Sequence, residues 1–553
     1  MNDEHGSSQL TPSQNAERQK ASAPNRHIGV PLSEASVAAN TQAERSPGDW
    51  LIGTGMVLSF MLYYLLGNTN LPFGILNDPH VVPASLLPFL GLPFLLIFLI
   101  LAWMRLPLAL ALFPLTLPYF QAQYPKTVYK SLHFSLAEIA IFALLVLALG
   151  QLVLKKEVRA YFSWQALRER LGPFLLPAAI FLLAACVSVV IAYSRSNAQV
   201  ALRKEVLLPL LYVVLVLGYI RTPRQVTNLL KGLIGAGLMI GLFGVIQYFF
   251  MKNTLTQEAG GVRIHTVYGN ANNIGLFIDY GLPIALAWLV ALKLSWRQRL
   301  LVLVLCLPML ISIFLTQSLG AWLALGAALL FIGALSLPNR KVLLIATVVL
   351  LVVAGAVLAL YHDRILSYVF ERHAGHGVGT AEKRIYLWQT AWHMIQDHPW
   401  FGVGLDNWLC HYSPNKVCRT SLPHYWITND PVTGAWTGMS DEPTLSHPHN
   451  IFLHVWVSIG IFGLLAFIGV LILFFWTFSR ILLRLRTAPL AERTAYRWLV
   501  VGVGASMVAA LVQGQIDSAF LEQDLAYCFW LLCAALLILR QLTQTSWWRE
   551  KAR

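Results

Sequence analysis

The run Ser446-His447-Pro448-His449-Asn450 sets two imidazoles two residues apart, immediately before an apolar stretch that begins at Ile451. An imidazole titrates near pH 6.5, so at neutral pH it can accept a proton from an attacking hydroxyl. His449 and its neighbour His447 are therefore candidate general bases. Ten of the 15 histidines fall between His362 and His454, a concentration that argues for a shared task over incidental packing. Two other readings of the pair stand beside this one. A metal site would draw on His447 and His449 with Asp441 or Glu442, but the spacing matches no recurring zinc pattern. Alternatively, a histidine at a helix entrance simply caps or packs.

Arg203 and Arg263 are the next candidates, each beside the mouth of an apolar run, with Lys204 adjoining the first. A guanidinium at a helix end offers a fixed fork of donors that fits phosphate bidentately. Gly269-Asn270-Ala271-Asn272-Asn273, just after Arg263, adds a turn with N-cap side chains and backbone donors for an anion. Snorkelling to anionic lipid headgroups is the competing account of each arginine. Glu205 and Asp279, near helix ends, are acids of the kind that mark ion paths, but two do not define a transporter. No phosphate-binding glycine loop stands in the chain, which argues against a soluble nucleotide as donor.

These residues need elements to hold them, and the composition says which. Of 553 residues, 57% are hydrophobic and 12% charged; mean hydropathy is +0.61. No soluble protein of this length tolerates such a surface, so the expected fold is an all-α, polytopic bundle of transmembrane helices in contact with membrane lipids. Apolar runs begin near Trp50, Ala84, Leu106, His133, Pro173, Glu205, Thr227, Asn273, Leu300, Ser318 and Val342, then near Asn450, Trp498 and Asp524. That pattern predicts twelve to fourteen spans, with half-helices where the runs around Met104 and Gln317 have almost no linker.

The net charge of +14 does not gather into basic stripes interleaved with aromatics, so nucleic acid is not an expected partner. It gathers instead in alternate links, among them Lys155, Lys156, Arg159, Arg168 and Arg170, then Arg480, Arg484 and Arg486. The positive-inside rule places those links and both termini in the cytoplasm. Residues 1–48 read as a disordered cytoplasmic tail, with no cleavable signal peptide. Residues 49–360 are expected to hold the N-terminal spans, 361–447 a large outer loop, 448–541 the C-terminal spans and 542–553 a second cytoplasmic tail.

The outer loop is far longer than an ordinary connection and so is expected to be folded and functional. Ile385, Trp388, Trp392 and Ile395 recur at helical spacing after Thr380, a candidate N-cap, which predicts an amphipathic helix ending at His398-Pro399. Trp408, Tyr412, Tyr425, Trp426 and Trp436 suit either a membrane-interface belt or stacking on sugar rings. Cys186, Cys306, Cys528 and Cys533 lie within apolar runs and read as small core residues, whereas Cys410 and Cys418 share this polar segment.

Two stretches together carry a family likeness. Lys383-Arg384-Ile385-Tyr386-Leu387-Trp388, continuing to His398-Pro399-Trp400-Phe401-Gly402-Val403-Gly404, is one. The other is His447-Pro448-His449-Asn450-Ile451-Phe452-Leu453, followed by Gly460-Ile461-Phe462-Gly463. In this order, around a large loop, they resemble the signature of bacterial O-antigen ligases and of the related O-antigen polymerases and O-linked protein oligosaccharyltransferases. One departure is Ser318-Leu319, where relatives often carry arginine after the serine.

The resemblance implies a transferase that moves a whole glycan from undecaprenyl diphosphate, at the periplasmic face of the inner membrane, to a sugar hydroxyl of lipid A core. It implies no cofactor and no metal. His449 matches the histidine before asparagine in the family motif and would be the base; Arg203 and Arg263 match by position the arginines expected at the donor diphosphate. His447, Asn450, Arg384 and Lys204 stand beside them as supporting residues. A single displacement by the acceptor hydroxyl would invert the anomeric carbon. The other acceptors in the family, a protein hydroxyl or a growing polymer, and a transporter of the lipid-linked glycan remain as alternatives. A disulfide between Cys410 and Cys418 is compatible with an oxidising periplasm.

Overall fold

The computed structural model describes residues 48–67, 91–119, 134–258, 261–291, 294–336, 380–413, 425 and 445–551. It divides into two compact units, Met1–Ile52 and Gly53–Arg553. The described part of the first opens the helix α1 (Asp49–Gly67). The principal helices of the second are α2 (Leu92–Met104), α3 (Leu106–Leu112), α4 (Leu136–Leu154), α5 (Leu175–Ile191), α6 (Arg195–Ala201), α7 (Leu208–Tyr219), α8 (Pro223–Phe250), α9 (Ala271–Leu289), α10 (Trp296–Thr316), α11 (Leu319–Ser336), α12 (Thr380–Asp397), α13 (Trp408–Tyr412), α14 (Ile451–Thr487), α15 (Leu490–Gln513) and α16 (Gln523–Lys551). A short antiparallel ribbon pairs Thr256 with Arg263.

The helix starts follow from local chemistry. Ser135 and Glu138 form a reciprocal capping box at α4, as do Thr222 with Gln225 at α8 and Ser295 with Gln298 at α10. Each box satisfies two N–H groups that a helix start leaves without partners. Near lipid this matters more than in water, because no solvent is there to substitute.

Among the described residues, nine helices are long and apolar enough to cross a membrane. The count is ten if α2 and Leu106–Tyr119, which turn by 119° at Arg105, form one broken span. The chain is a multi-pass helical membrane protein, with fewer qualifying spans than the twelve to fourteen expected. One reason is that the run expected from Val342 lies outside the described residues. Another is polarity: α9 opens on Asn272 and Asn273 and carries Asp279, while α7 has only 12 residues beyond a π-helical turn, Leu202–Leu207. Of the two expected pairs of half-helices, the one around Met104 is two short helices bent at Arg105, whereas the one around Gln317 (φ 50°) is two helices, α10 and α11, each long enough to cross.

Long-range hydrogen bonds draw several helix ends and loops together at one end of the bundle. Gln523 Nε2 donates to Ser135 Oγ at 2.9 Å, the Ser194 N–H donates to Asn407 Oδ1 at 2.7 Å and Arg263 Nε donates to the Thr316 carbonyl at 2.7 Å. The other end is cationic. There Arg540 donates to the Arg170 carbonyl at 2.7 Å, Arg221 to the Gly218 carbonyl at 2.9 Å and Arg497 to the Leu335 carbonyl at 2.5 Å.

α12 runs over Thr380–Asp397 and stops before Pro399, as expected. Leu387, Ala391, Met394 and Ile395 pack on Val403, Trp408, Tyr412 and Val457, while Ile385 and Trp392 are about half exposed. Of the stripe read from spacing, Ile395 is thus buried and Trp388 half-buried, so large apolar residues stand on both faces of this helix.

α14 is broken at Gly460, whose φ of 74° and ψ of −175° belong to a region essentially closed to other residues. The loop after α12 fills the break. Val403 N–H donates to the Val457 carbonyl at 2.7 Å, and Ile461 N–H and Trp456 Nε1 both donate to the Pro399 carbonyl at 3.0 Å. A Cβ on Gly460 would stand 2.0 Å from the Trp400 carbonyl oxygen, and one on Gly402 would stand 2.2 Å from that of Val457. The two stretches that carried the family likeness are thus interlocked backbone to backbone.

Candidate functional site

The segment between α15 and α16 is the hub of the site, and the start of α14 is fastened along it. Asn450 caps α14 by accepting from the N–H groups of Phe452 and Leu453. It also donates from Nδ2 to the Gln515 carbonyl at 3.1 Å. Ile451 N–H donates to the Gly514 carbonyl at 2.6 Å, and His454 Nδ1 lies 2.6 Å from Ser518 Oγ. Within this frame His449 Nδ1 meets Asp517 Oδ1 at 2.7 Å, with both residues buried. A carboxylate only accepts, so Nδ1 carries the proton and Nε2 keeps its lone pair.

Burial disfavours the charged imidazole and holds His449 below its ordinary value, against the pull of Asp517 and helped by nearby His447 and Arg384. The ring is therefore neutral at neutral pH. Burial alone would raise the Asp517 carboxyl, but His449, His447 and Arg384 outweigh it and the group lies far below the usual carboxylate range. A neutral base oriented by an anion is an arrangement suited to taking a proton from a hydroxyl.

His447 sits against this pair. Its Nε2 lies 3.3 Å from Glu522 Oε1, and its Nδ1 accepts the backbone N–H of His449 at 3.3 Å. Burial pulls its proton affinity down, but Glu522 and then Asp517 more than offset this, and its value lies above the ordinary one.

The cations fall into two groups. Arg384, on α12, donates from Nε to the Ile516 carbonyl at 2.6 Å, its one side-chain hydrogen bond among the described residues. Its charge bears on both histidines and on Asp517. Arg203 instead binds the buried carboxylate of Glu138 at 2.8 Å, with Lys204 3.7 Å from the same group. Arg263 is buried and spends Nε on the Thr316 carbonyl and Nη2 on Asn272 Oδ1. The asparagine turn expected to help hold an anion is thus partly used to hold the arginine itself. Both arginines nevertheless connect to the hub. Glu138 caps α4 with Ser135, which bonds Gln523; Asn273, next to Asn272, approaches Glu522 at 3.5 Å.

His447, His449 and Asp517 each offer a ligand atom within 4.8 Å of the others, enough for three metal bonds. The donor set does not fit a metal well. Both ring nitrogens of His447 are occupied by Glu522 and by the His449 N–H. Asp517 Oδ1 already receives His449 Nδ1 and the Ser518 N–H at 3.0 Å. Asp441 and Glu442, the carboxylates considered from sequence, lie outside the described residues.

A many-helix membrane protein with an imidazole–carboxylate pair beside guanidinium groups at one end is the class that fold and site define. A family model described as O-antigen ligase matches residues 301–468, a segment that includes Arg384, His447 and His449. The match covers under a third of the chain, and it likens that segment to membrane glycosyltransferases of O-antigen ligase or polymerase type. A comparison with curated proteins found no match.

Sequence reasoning did not find Asp517, Glu522 or Glu138. A usable signal existed for the first two: Gln515-Ile516-Asp517-Ser518-Ala519-Phe520-Leu521-Glu522-Gln523-Asp524 puts three acids in a short link with no basic residue, facing the histidine-rich loop.

Proposed function

We propose that the protein is an O-antigen ligase of the bacterial inner membrane that transfers a glycan from undecaprenyl diphosphate to a sugar hydroxyl of lipid A core. The observation that carries the reading is His449 Nδ1 held on Asp517 at 2.7 Å with Arg384 alongside. Nε2 of His449 takes the acceptor proton as the hydroxyl oxygen bonds the anomeric carbon. The bond from that carbon to the diphosphate oxygen breaks, the electron pair leaves with the diphosphate, and the anomeric carbon inverts. Guanidiniums that stabilise the departing anion take the place of a general acid. Arg384 has the terminal nitrogens best able to do so, and Arg203, about a third exposed, is the second. Arg263 supports the site from within the protein.

Orientation is supported from both ends. Cys410, in the loop after α12, is disulfide-bonded, whereas Cys186, Cys306, Cys528 and Cys533 in the spans are free. Disulfides persist in oxidising compartments, which favours a periplasmic site. Its expected partner Cys418 lies outside the described residues. The cationic opposite end then faces the cytoplasm.

The test is transfer by purified, reconstituted protein given undecaprenyl diphosphate-linked glycan, with lipid A core and a pilin-like peptide offered together. Product on lipid A core is expected. Product on the peptide alone would make it a protein oligosaccharyltransferase, and donor translocation with no new glycosidic bond would make it a transporter. A chelator added to the same assay should leave the rate unchanged; a loss reversed by adding back a divalent metal would refute the metal-free mechanism. Replacing Arg384 by alanine should raise the donor KM and lower turnover, together by about 100-fold, with lysine recovering part of both. Equal rates for arginine, lysine and alanine would remove Arg384 from the donor site.

A further inference from the structure

We propose that His447 is a positioning residue: braced on Glu522, its ring receives the backbone N–H of His449 and holds that residue in the left-handed conformation that lets its own ring reach Asp517. This deepens the proposed reaction and rests on His449 being its base.

His449 has φ of 51°, a region that a residue with a side chain occupies only when its surroundings over-determine it. Pro448 cannot donate a backbone hydrogen bond and restricts the residue before it to extended backbone, so His447 and His449 are turned toward each other across a rigid link. Their rings meet edge to face, with centroids 4.5 Å apart.

The contact that fixes the turn is the His449 N–H donated to His447 Nδ1 at 3.3 Å. It requires Nδ1 to be bare, hence the neutral ring with its one proton on Nε2, and it is lost when the ring, whose proton affinity Glu522 raises, takes up a second proton. Glu522 Oε1, 3.3 Å from Nε2, accepts that proton and selects the tautomer. The His454 ring stacks on the other side of His447, centroid to centroid 5.3 Å. One carboxylate therefore orients the ring of His449 directly, and a second orients its backbone through His447.

Two amides separate this role from mere bulk. Asparagine places its oxygen near the position of Nδ1 and can accept the His449 N–H, whereas glutamine reaches the position of Nε2 and cannot. In the reconstituted transfer assay, His447→Ala and His447→Gln should each lose about 100-fold in kcat with donor and acceptor KM unchanged. His447→Asn should recover most of the loss. Structures of the same variants should show His449 leaving Asp517 in the alanine and glutamine proteins and keeping it in the asparagine protein.

Equal kcat for all three variants and the parent would overturn the proposal, as would His449 still bonded to Asp517 in His447→Ala. The structural readout does not depend on the reaction. An active His449→Ala protein would defeat the proposed base while leaving the positioning of His449 to be judged by the variant structures alone.

Discussion

Alanine at position 449 should lower kcat of glycan transfer by about 10²–10⁴-fold, the range lost when a positioned general base is removed. Donor KM should change little, because in the proposed reaction the side chain meets the acceptor proton and not the diphosphate. The reason lies in the state of the ring. Burial keeps His449 below the ordinary imidazole value, so at neutral pH it is already in the form that accepts a proton. His449→Gln is the better control for packing, since it fills similar space without a titrating nitrogen. Turnover is measured as undecaprenyl diphosphate released per protein, with thermal unfolding in detergent to confirm that each variant is folded. Parent-level turnover in either variant would end the assignment.

Asp517→Asn should cost about 100-fold in kcat or more, although it changes one atom. Asp517 Oδ1 receives both His449 Nδ1–H and the Ser518 N–H. An amide can present its NH₂ to Nδ1 instead, which favours the tautomer with the proton on Nε2 and leaves no lone pair for the acceptor. The pH profile gives the sign a second check. The negative charge of Asp517 raises the proton affinity of His449, so its removal leaves burial and the neighbouring cation less opposed. The acid limb of kcat should therefore move to lower pH in Asp517→Asn. A limb that stays in place, with turnover unchanged, would mean that the carboxylate serves only the loop it sits in.

How far the sequence could be read depended on the range of the interaction. The spans and their caps were legible because apolar length and a capping pair such as Ser135 with Glu138 are local signals. His447, His449 and Arg384 were legible because they stand in compact motifs. The groups that complete the site were not. Asp517 lies 68 residues from the histidine it orients, and Glu138 lies 65 from Arg203. An isolated acid at a helix end looks the same whether it meets solvent, a cap or a distant cation. Glu138 does two of these at once, closing a capping box and neutralising Arg203. Arg263 stands out in the sequence as a cation beside an apolar run, but its burial against Thr316 and Asn272 depends on how α9 and α10 meet.

The interruption of α14 at Gly460 has a consequence for building hybrids of this protein. Because Pro399, Gly402 and Val403 occupy the gap that Gly460 opens, the donor and recipient of a loop exchange must agree at both places. Transplanting residues 380–413 alone into a relative whose helix runs straight would confront the incoming chain with carbonyls already bonded within that helix, and nowhere to dock. The two stretches should instead travel as a single cassette, and acceptor preference, if it resides in that loop, should travel with them.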